Sequence, residues 1–507
     1  MLLSRREFLA TAGAFALSVA GPGFSQDPLP KRPRAFGTTT PAAIESYKKA
    51  IAAMLALDPT DGRSWFRQAL IHIVDCPHGN WWFLPWHRGY LANFERICRQ
   101  QSNDPAFMLP YWDWTESPSV PTVFFDQALD PTSVDFLRSW NKFREYVAAP
   151  VKTWFEGLNA AQREQLERRA IGSSDDVLAE LEGHFNQGHG ARLVSLQQPS
   201  LGDRARQVVR EAYVRSTLDP KTFELFASST TDRHSDPGIE RPLESGPHDN
   251  VHGSTGGFMS AFLSPMDPVF WLHHANLDRL WDVWTRKQRR LQLPELPTGA
   301  DLATLQAEPF VFFHDESGAV LGKTAGDYLS TGALGYAYEP GSLEDVAAVP
   351  VPPAPVVPAA FAMFRSTGPE KALRRGLESA LPVAGLSNAL SDVGAGTGGD
   401  LYARVTVTPP SHPRDVHLRV YINCPYLSAQ TPVDDPHFVG AITFFAAMHR
   451  HHRGPSTFTL PLAPALQALG EQGKLPTNAI KIQVITDSAT DAAVTNGTLE
   501  SVAVEVS

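Results

Sequence analysis

The feature that most constrains the fold is a pair of histidine groups that lie far apart in the 507-residue chain. The first group lies in IHIVDCPHGNWWFLPWHRGYLANFER, and the second in PHDNVHG and MDPVFWLHHANLDRLW. Together they supply six candidate metal ligands: His72, His78, His87, His248, His252 and His274. If both groups bind metal, the fold must bring these two segments to one place.

The composition of this ligand set narrows the choice of metal. A di-iron or di-manganese bundle would interleave Glu ligands with the histidines, and a catalytic zinc site needs one group of three ligands and an open position. Imidazole also suits copper, iron and nickel, so ligand type alone does not choose. Two all-histidine triplets favour a pair of redox-active copper ions that could bind dioxygen between them. The alternative is a set of packed core histidines.

Spacing within the second group indicates which histidines can share a metal. His248 and His252 are four residues apart, so on a helix they lie on one face. His273 and His274 point about 100° apart on a helix, so only one of them should be a ligand. Asp278 lies one turn after His274 and could hydrogen-bond behind the ligands.

Two of these segments carry a family resemblance. FLPWHRGYLANFER and DPVFWLHHANLDRLW resemble the copper A and copper B signatures of the tyrosinase, catechol oxidase and hemocyanin family, and YWDWT (111–115) and LGYAY (334–338) extend the likeness. The resemblance implies a mainly α catalytic core in which a four-helix bundle holds a binuclear (type 3) site with two copper ions. It assigns His72, His78 and His87 to copper A, and His248, His252 and His274 to copper B.

Cysteine usage fits the same resemblance. Three cysteines are too few for a disulfide framework. Cys76 lies two residues before His78, and related enzymes often join a cysteine here to the second copper A histidine by a thioether bond. The alternative is a small buried thiol, which is also the interpretation for Cys98 and Cys424.

The N-terminus resembles an export signal. SRREFL (4–9) is similar to the twin-arginine motif and is followed by the apolar run ATAGAFALSVAG. We expect a signal peptide over residues 1–26, with cleavage between Gly21 and Asp27, in a bacterial protein exported by the twin-arginine machinery to the periplasm or the medium. The alternative is an N-terminal helix of the fold.

The rest of the chain divides into three predicted parts. Residues 27–340 form the catalytic domain, residues 341–360 a Pro/Ala-rich linker (DVAAVPVPPAPVVPAA), and residues 361–507 an antiparallel β-sandwich, because short runs alternate apolar and polar residues. These runs are DLYARVTVTP, DVHLRVYIN, STFTLPL, AIKIQVIT and LESVAVEV. The sandwich resembles the C-terminal capping domain of latent polyphenol oxidases. In these relatives a Tyr-x-Tyr pair, here Tyr336 and Tyr338, ends the core and is often pinned by an arginine, here Arg32 or Arg34.

A capping domain implies a side chain that plugs the copper pocket until a protease removes the cap. Phe444 and Phe445 are the candidate plugs, and the alternative for each is the sandwich core. Met448 and three nearby histidines (His449, His451 and His452) could bind copper during loading, but we favour a solvated basic loop.

Three further residues bear on the substrate. Glu244 occupies the position of the family's water-holding glutamate, which would assist deprotonation of a monophenol. Asp249 follows the first copper B histidine, where efficient monophenol hydroxylases often carry Asn, so the resemblance predicts weaker monophenol hydroxylation. The alternatives for Asp249 are a carboxylate that itself orients the water and a residue that favours the start of a helix. Ala261 stands where plant relatives carry a bulky residue over copper A, so we expect an open gate that admits tyrosine-sized phenols.

The sequence therefore predicts a tyrosinase that hydroxylates monophenols (tyrosine) and oxidises o-diphenols (DOPA, catechols) with O2, as in melanin formation. The alternatives are a catechol oxidase, a hemocyanin-like oxygen carrier, a hydrolytic di-zinc enzyme and an o-aminophenol oxidase. A net charge of −10 argues against nucleic acid or anionic membrane as the main partner. No apolar stretch of eighteen or more residues follows the N-terminus, so we expect no membrane span in the mature form.

Overall fold

The computed structural model describes residues 28–36, 40–133, 136–137, 140–233, 238–348, 362–366, 369–394, 400–445 and 454–506. Within these ranges the chain before residue 348 is mainly helical, and the chain after residue 362 is mainly β-strand. The predicted helical core and C-terminal β region are confirmed. We use the name cap for the described residues of 362–506.

The helices of the described residues are α1 (Thr40–Ala56), α2 (Trp65–Asp75), α3 (Phe83–Ser102), α4 (Trp140–Glu156), α5 (Ala160–Glu167), α6 (Ser174–Gly188), α7 (Asp203–Val209), α8 (Glu211–Thr217), α9 (Phe223–Phe226), α10 (Asp249–Thr255), α11 (Val269–Leu291), α12 (Gly299–Ala307), α13 (Ser387–Gly394) and α14 (Ala463–Glu471). The strands are β1 (Lys31–Arg32), β2 (Ile239–Glu240), β3 (Pro309–Phe310), β4 (Lys323–Thr324), β5 (Ala337–Tyr338), β6 (Ala362–Arg365), β7 (Lys371–Ala372), β8 (Glu378–Val383), β9 (Leu401–Thr408), β10 (Val416–Ile422), β11 (Phe438–Thr443), β12 (Ser456–Pro461), β13 (Ile480–Ser488) and β14 (Thr498–Val506).

We use the name bundle for the four helices α2, α3, α10 and α11, which carry His72, His87, His252 and His274. The side chain of Ser64 caps α2 by accepting a hydrogen bond from the Arg67 amide. Every residue of α2 is buried, as is the first half of α11, so both segments are surrounded by protein on all sides, including their polar and charged residues. Phe94 of α3 stacks on Trp271 of α11 and holds the two longest bundle helices together.

Asp278 of α11 ties the end of the core to its beginning. Its carboxylate accepts hydrogen bonds from Tyr336 (2.6 Å), Tyr338 (2.5 Å) and Arg88 (2.5 Å). Arg32 donates to Tyr338 at 2.8 Å, which confirms the predicted partner of the Tyr-x-Tyr pair. Burial alone would raise the pKa of Asp278, but Arg88, Arg32 and the two tyrosines hold it below its usual value.

The cap is a sandwich of two sheets. One sheet has the order β11–β10–β13–β8, and the other has the order β2–β12–β9–β14–β6, with β7 also paired to β14. A second hydrophobic cluster, separate from that of the helical core, fills the space between the sheets. All five predicted runs are strands, and β8 and β11 are strands that the alternation pattern did not predict.

One strand of the cap's larger sheet comes from the helical core. β2 pairs in parallel with β12, which aligns Glu240 with Phe458. Beside this pair Arg241 forms a buried ion pair with Glu505 at 2.8 Å, and Ser245 donates to the carbonyl of Thr459 at 2.7 Å. The cap is therefore bound directly to the segment that leads into α10.

Several sequence predictions lie outside the described residues: the signal peptide 1–26, most of the linker 341–360, and Met448, His449, His451 and His452. Among the residues that are described, no helix combines the length and the apolar character needed to cross a membrane.

Candidate metal centre

The fold brings the two histidine groups together at the centre of the bundle. The first group, with Cys76, and the second group, with His273, each place their potential ligand atoms within 4.8 Å of one another. The groups also face each other directly, because the rings of His87 and His274 stack with centroids 4.1 Å apart. All six predicted ligands are at most 9% exposed.

Local structure explains how each histidine reaches the centre. His72 lies in the last turn of α2, and His87 lies in the first turns of α3. His248 ends a short π-helical turn (Glu244–His248) that contains Pro247 and leads into α10, which carries His252. His274 lies in the second turn of α11. Pro247 has no amide hydrogen to donate, so an irregular turn at this point costs less than it would elsewhere.

Four rings have their Nδ1 atoms held by the protein. His72, His87 and His252 contact the backbone carbonyls of Phe262 (2.7 Å), Phe83 (2.8 Å) and Met259 (2.6 Å) respectively. The Nδ1 atom of His248 lies 2.7 Å from the carboxylate of Asp249. Because a neutral imidazole has one donor and one acceptor nitrogen, donation from Nδ1 leaves the Nε2 lone pair free for a metal.

The free nitrogens fit a metal ion. The Nε2 atoms of His72 and His248 are buried and bond to no described residue, and the Nε2 atoms of His252 and His274 lie 3.2 Å apart. The Nδ1 atom of His274 bonds to no described residue, so this ring can carry its hydrogen on Nδ1, and both Nε2 atoms are then able to bind one cation. The donor set is entirely imidazole apart from one thiol, which suits copper.

Burial keeps these rings in the neutral form that a metal requires. It lowers the pKa of His87 and of His252 to about 3. Burial and the neighbouring histidines lower the pKa values of His72, His248 and His274 well below the usual value.

Cys76 lies against the copper A group. Its Sγ atom is 3.7 Å from Nδ1 and 3.9 Å from Nε2 of His78, and 3.4 Å from Nε2 of His87. The thiol is free in this structure, and burial raises its pKa well above the usual value. The predicted partner, His78, is thus within contact distance of the sulfur.

The two candidate plugs lie in different places. Phe445 is fully buried in the centre, with its ring 4.3 Å from that of His252, 5.3 Å from that of His78 and 5.5 Å from that of His248. Phe444 belongs to the hydrophobic cluster of the cap and packs edge-on against Phe458. Phe444 as a plug is therefore wrong, because its ring lies in the hydrophobic cluster of the cap and not among the histidines.

Glu244 and Asp249 lie together in a buried carboxylate cluster. Glu244 accepts a hydrogen bond from the amide of Gly79 at 2.9 Å, and its second oxygen bonds to no described residue. Burial and Glu240 raise the pKa of Glu244 well above its usual value. Asp249 also has a raised pKa because it is buried, although a hydrogen bond with Glu240 opposes the rise. Glu240, on β2, is a member of this cluster that the sequence did not single out.

At the predicted gate, the residue that contacts the site is the neighbour of Ala261. Ala261 is buried just after a 3-10 turn (Gly257–Ser260). The ring of Phe262 lies 5.0 Å from that of His78 and 5.5 Å from that of His72, and it stacks on Phe445 at 5.2 Å. An open gate at Ala261 stays a prediction, and Phe262 is the bulky residue beside copper A.

The sequence did not indicate a group of charged residues that lies behind the copper A histidines. Asp75 forms a buried ion pair with Arg233 at 2.6 Å and accepts a hydrogen bond from Trp86 at 2.7 Å. Arg169 donates to the backbone carbonyl of Cys76 at 2.5 Å. These contacts fix the end of α2 and the chain that leads to His78. In the sequence, these contacts are indicated only by the position of Asp75 and Cys76 between His72 and His78.

A helical bundle with two facing histidine groups, their Nδ1 atoms held by protein acceptors, defines a binuclear metalloprotein whose ligands suit two copper ions. The family model for the common central domain of tyrosinase matches residues 60–287. A tyrosinase from Streptomyces lincolnensis is 30% identical over 251 residues, which is 48% of this chain and 77% of that protein. The chain belongs to the tyrosinase family.

Two other comparisons show how much of the chain is similar to known proteins. The chloroplastic polyphenol oxidase of Spinacia oleracea is 27% identical over 325 residues, which is 58% of this chain and 45% of that protein, so the chain spans about half the length of this plant relative. A solved structure of a latent aurone synthase (polyphenol oxidase) aligns with 95% of this chain and 91% of its own, with a TM-score of 0.61 at 19% identity. At this identity the likeness concerns the fold, which includes the cap.

Proposed function

We propose that the protein is a copper-dependent phenol oxidase, a tyrosinase that hydroxylates monophenols to o-diphenols and oxidises o-diphenols to o-quinones with O2. We propose further that the full-length chain is latent until the cap is displaced by an activating protease. The observation that carries the proposal is the ring of Phe445, which lies among His78, His248 and His252 and fills the space that a phenol ring would need.

The chemistry divides between the metal and the protein. Bound copper supplies the two-electron redox chemistry of dioxygen. The histidines hold the ions through their free nitrogens, and the bonds at Nδ1 keep the rings in one orientation. Phe262 offers a stacking surface for an aromatic substrate in the place where it now stacks on Phe445.

Glu244 is the candidate base for the monophenol. Its bond to the Gly79 amide fixes the carboxylate, and its second oxygen is free of described partners. Burial and Glu240 raise its pKa, which makes the ionised carboxylate a stronger proton acceptor. A water held by Glu244 could carry the proton of the phenol to this carboxylate.

The second candidate function is that of a catechol oxidase, and Asp249 favours it. One carboxylate oxygen of Asp249 forms a hydrogen bond with Nδ1 of His248 at 2.7 Å, and Asp249 also interacts with Glu240. A carboxylate used in this way is less free to orient a water beside Glu244. A diphenol needs no such water, so its oxidation would be unaffected.

Four further proposals concern the maturation of the protein. Residues 1–26 act as a twin-arginine signal, and the mature protein is periplasmic or secreted. The catalytic domain (27–340) and the cap region (361–507) are two units joined by the linker (341–360), and the division of most of the buried residues into two hydrophobic clusters supports this proposal, although Leu343 and Val346 of the predicted linker pack in the cluster of the helical core. Cys76 forms a thioether bond with His78, which the contact between the sulfur and the ring supports.

The test is the oxidation of L-tyrosine and L-DOPA by copper-loaded full-length protein, before and after limited proteolysis in the linker. Activity on both compounds that rises on cleavage would support a latent tyrosinase. Activity on L-DOPA alone would support the catechol oxidase. An absence of turnover with reversible oxygen binding would contradict both and favour an oxygen carrier.

A further inference from the structure

His273 lies inside the copper B group although the family resemblance gives the ligand role to His274. Its side chain is fully buried, and its ring lies 4.9 Å from that of His252 and 5.6 Å from that of His248. One of its ring nitrogens lies within 4.8 Å of a ring nitrogen of each of the other three histidines. His273 therefore lines the centre.

A hydrogen bond from Trp114 fixes the tautomer of this ring. The indole nitrogen of Trp114 lies 3.2 Å from Nδ1 of His273. An indole N–H can only donate, so Nδ1 must accept. A doubly protonated imidazole has no acceptor nitrogen, so His273 is neutral in this arrangement and carries its hydrogen on Nε2.

Two consequences follow for the copper B group. Neither nitrogen of His273 has a free lone pair, since Nδ1 is occupied by Trp114 and Nε2 bears a hydrogen. The adjacent His274 is thus the histidine of this pair that can bind metal. The Nε2–H group of His273 is also a buried donor that bonds to no described residue. A buried donor without an acceptor is destabilising unless a ligand accepts its hydrogen bond.

We propose that His273 donates a hydrogen bond from Nε2 to a small non-protein ligand beside copper B, such as water, hydroxide or a small anion. Trp114 is the positioning residue that holds this donor in place. The inference rests on the proposed copper-oxidase function and deepens it, because it assigns a residue that binds the ligand at the metal without binding the metal itself.

The probe is azide, titrated into the copper(II)-loaded full-length protein and followed by the optical absorption of the copper sites. His273→Phe keeps a buried ring but removes the donor, and it should raise the Kd for azide about tenfold or more, as expected for a lost hydrogen bond to an anion. His273→Gln retains an N–H donor and should restore part of the affinity. Copper content should stay at two ions per chain in both variants.

Trp114→Phe provides an independent variant. It removes the group that fixes the tautomer and should weaken azide binding by a smaller factor than His273→Phe, again with two copper ions retained. If His273→Phe does not fold, Trp114→Phe and His273→Gln carry the test.

Two results would overturn the inference alone: azide affinity within about twofold of wild type in His273→Phe and Trp114→Phe, or loss of one copper ion in His273→Gln, which would make His273 a ligand. Wild-type protein that takes up no copper would overturn the proposed function as well. The failures of the two proposals are therefore distinguishable.

Discussion

The ring of Phe445 lies 4.3 Å from the ring of His252, at an interplanar angle of 34°, so that a side chain of the cap covers a histidine of the copper B group. The ring of Phe262 also stacks on Phe445, at 5.2 Å and an angle of 19°. Phe445 thus contacts both a candidate ligand and the residue beside copper A. An aromatic substrate can take this place only if Phe445 leaves it.

Phe445→Ala in the full-length protein should raise the rate of catechol oxidation about tenfold or more, because it removes the ring that covers the histidines. A tenfold change corresponds to about 1.4 kcal/mol. Initial rates on L-DOPA with matched copper content provide the measurement. Phe444→Leu is the control: it alters the adjacent residue inside the cap, costs about 1.5 kcal/mol of stability, and should leave the rate unchanged. Equal rates for wild type and Phe445→Ala would show that Phe445 does not limit access.

His252→Ala should reduce the copper content from two ions per chain to about one, because three-histidine coordination loses a ligand. Copper measured by elemental analysis after dialysis tests this. His437→Ala is a matched control, since His437 is also buried and its Nδ1 atom also contacts a backbone carbonyl, that of Ile422 at 2.7 Å. A His252→Ala protein with two copper ions would contradict the ligand assignment.

Glu244→Gln should lower monophenol turnover about 100-fold, the lower range for loss of a general base, and leave diphenol turnover within about threefold. The amide oxygen can still accept the bond from Gly79, so the fold of the turn should be kept. Steady-state rates on L-tyrosine and L-DOPA give the comparison. Glu240→Gln changes another carboxylate of the same cluster and should affect both substrates alike. Parallel losses on both substrates in Glu244→Gln would exclude a role in proton transfer.

The copper-free protein should lose stability as the pH falls from 7 towards 5. The pKa values of His87 and His252 are lowered to about 3 by burial, whereas an unfolded histidine titrates near 6.5. Between these values the unfolded state binds more protons, so stability rises with pH by up to about 1.4 kcal/mol per pH unit for each such histidine. Denaturant unfolding at pH 7.5, 6.5 and 5.5 measures this slope. The raised pKa values of Glu244 and Asp249 act in the opposite direction, so the slope of wild type is compared with that of His252→Phe, and equal slopes would mean that the ring of His252 is not held neutral.

The peptide that carries Cys76 and His78 should have a mass lower than its sequence mass by two hydrogen atoms, since each partner of a thioether bond loses one. Mass spectrometry of digested protein, expressed with copper and without it, provides the measurement. Cys76→Ser should show the unmodified mass under both conditions, and so should wild type if no bond forms.

The sequence predicted those parts of the molecule that are marked by a pattern within a short stretch of residues. Each histidine group sits in one or two contiguous segments, and the strands of the cap alternate apolar and polar residues, so both could be read from short windows. The Tyr-x-Tyr contact with Arg32 came from the family resemblance. These features need no knowledge of which distant segments pack together.

The parts that the sequence could not predict depend on a shift of one residue or on distant contacts. Phe444 and Phe445 differ only in the side to which each points, and Ala261 and Phe262 differ by one position after a tight turn. The contact between Trp114 and His273 joins residues 159 positions apart. The carboxylate cluster needs Glu240, whose place is set by the pairing of β2 with β12.

Because of this pairing, the cap contacts the helical core as a separate subunit would, although both belong to one chain. While the linker is intact, β12 meets β2 at a high effective concentration that does not depend on how much protein is present. Once the linker is cut, the same strand pair, the Arg241–Glu505 ion pair and the seated Phe445 hold two separate polypeptides. If the linker is cut, release of the cap changes from an intramolecular to a bimolecular equilibrium, so dilution would determine the fraction of molecules in which the histidines are uncovered.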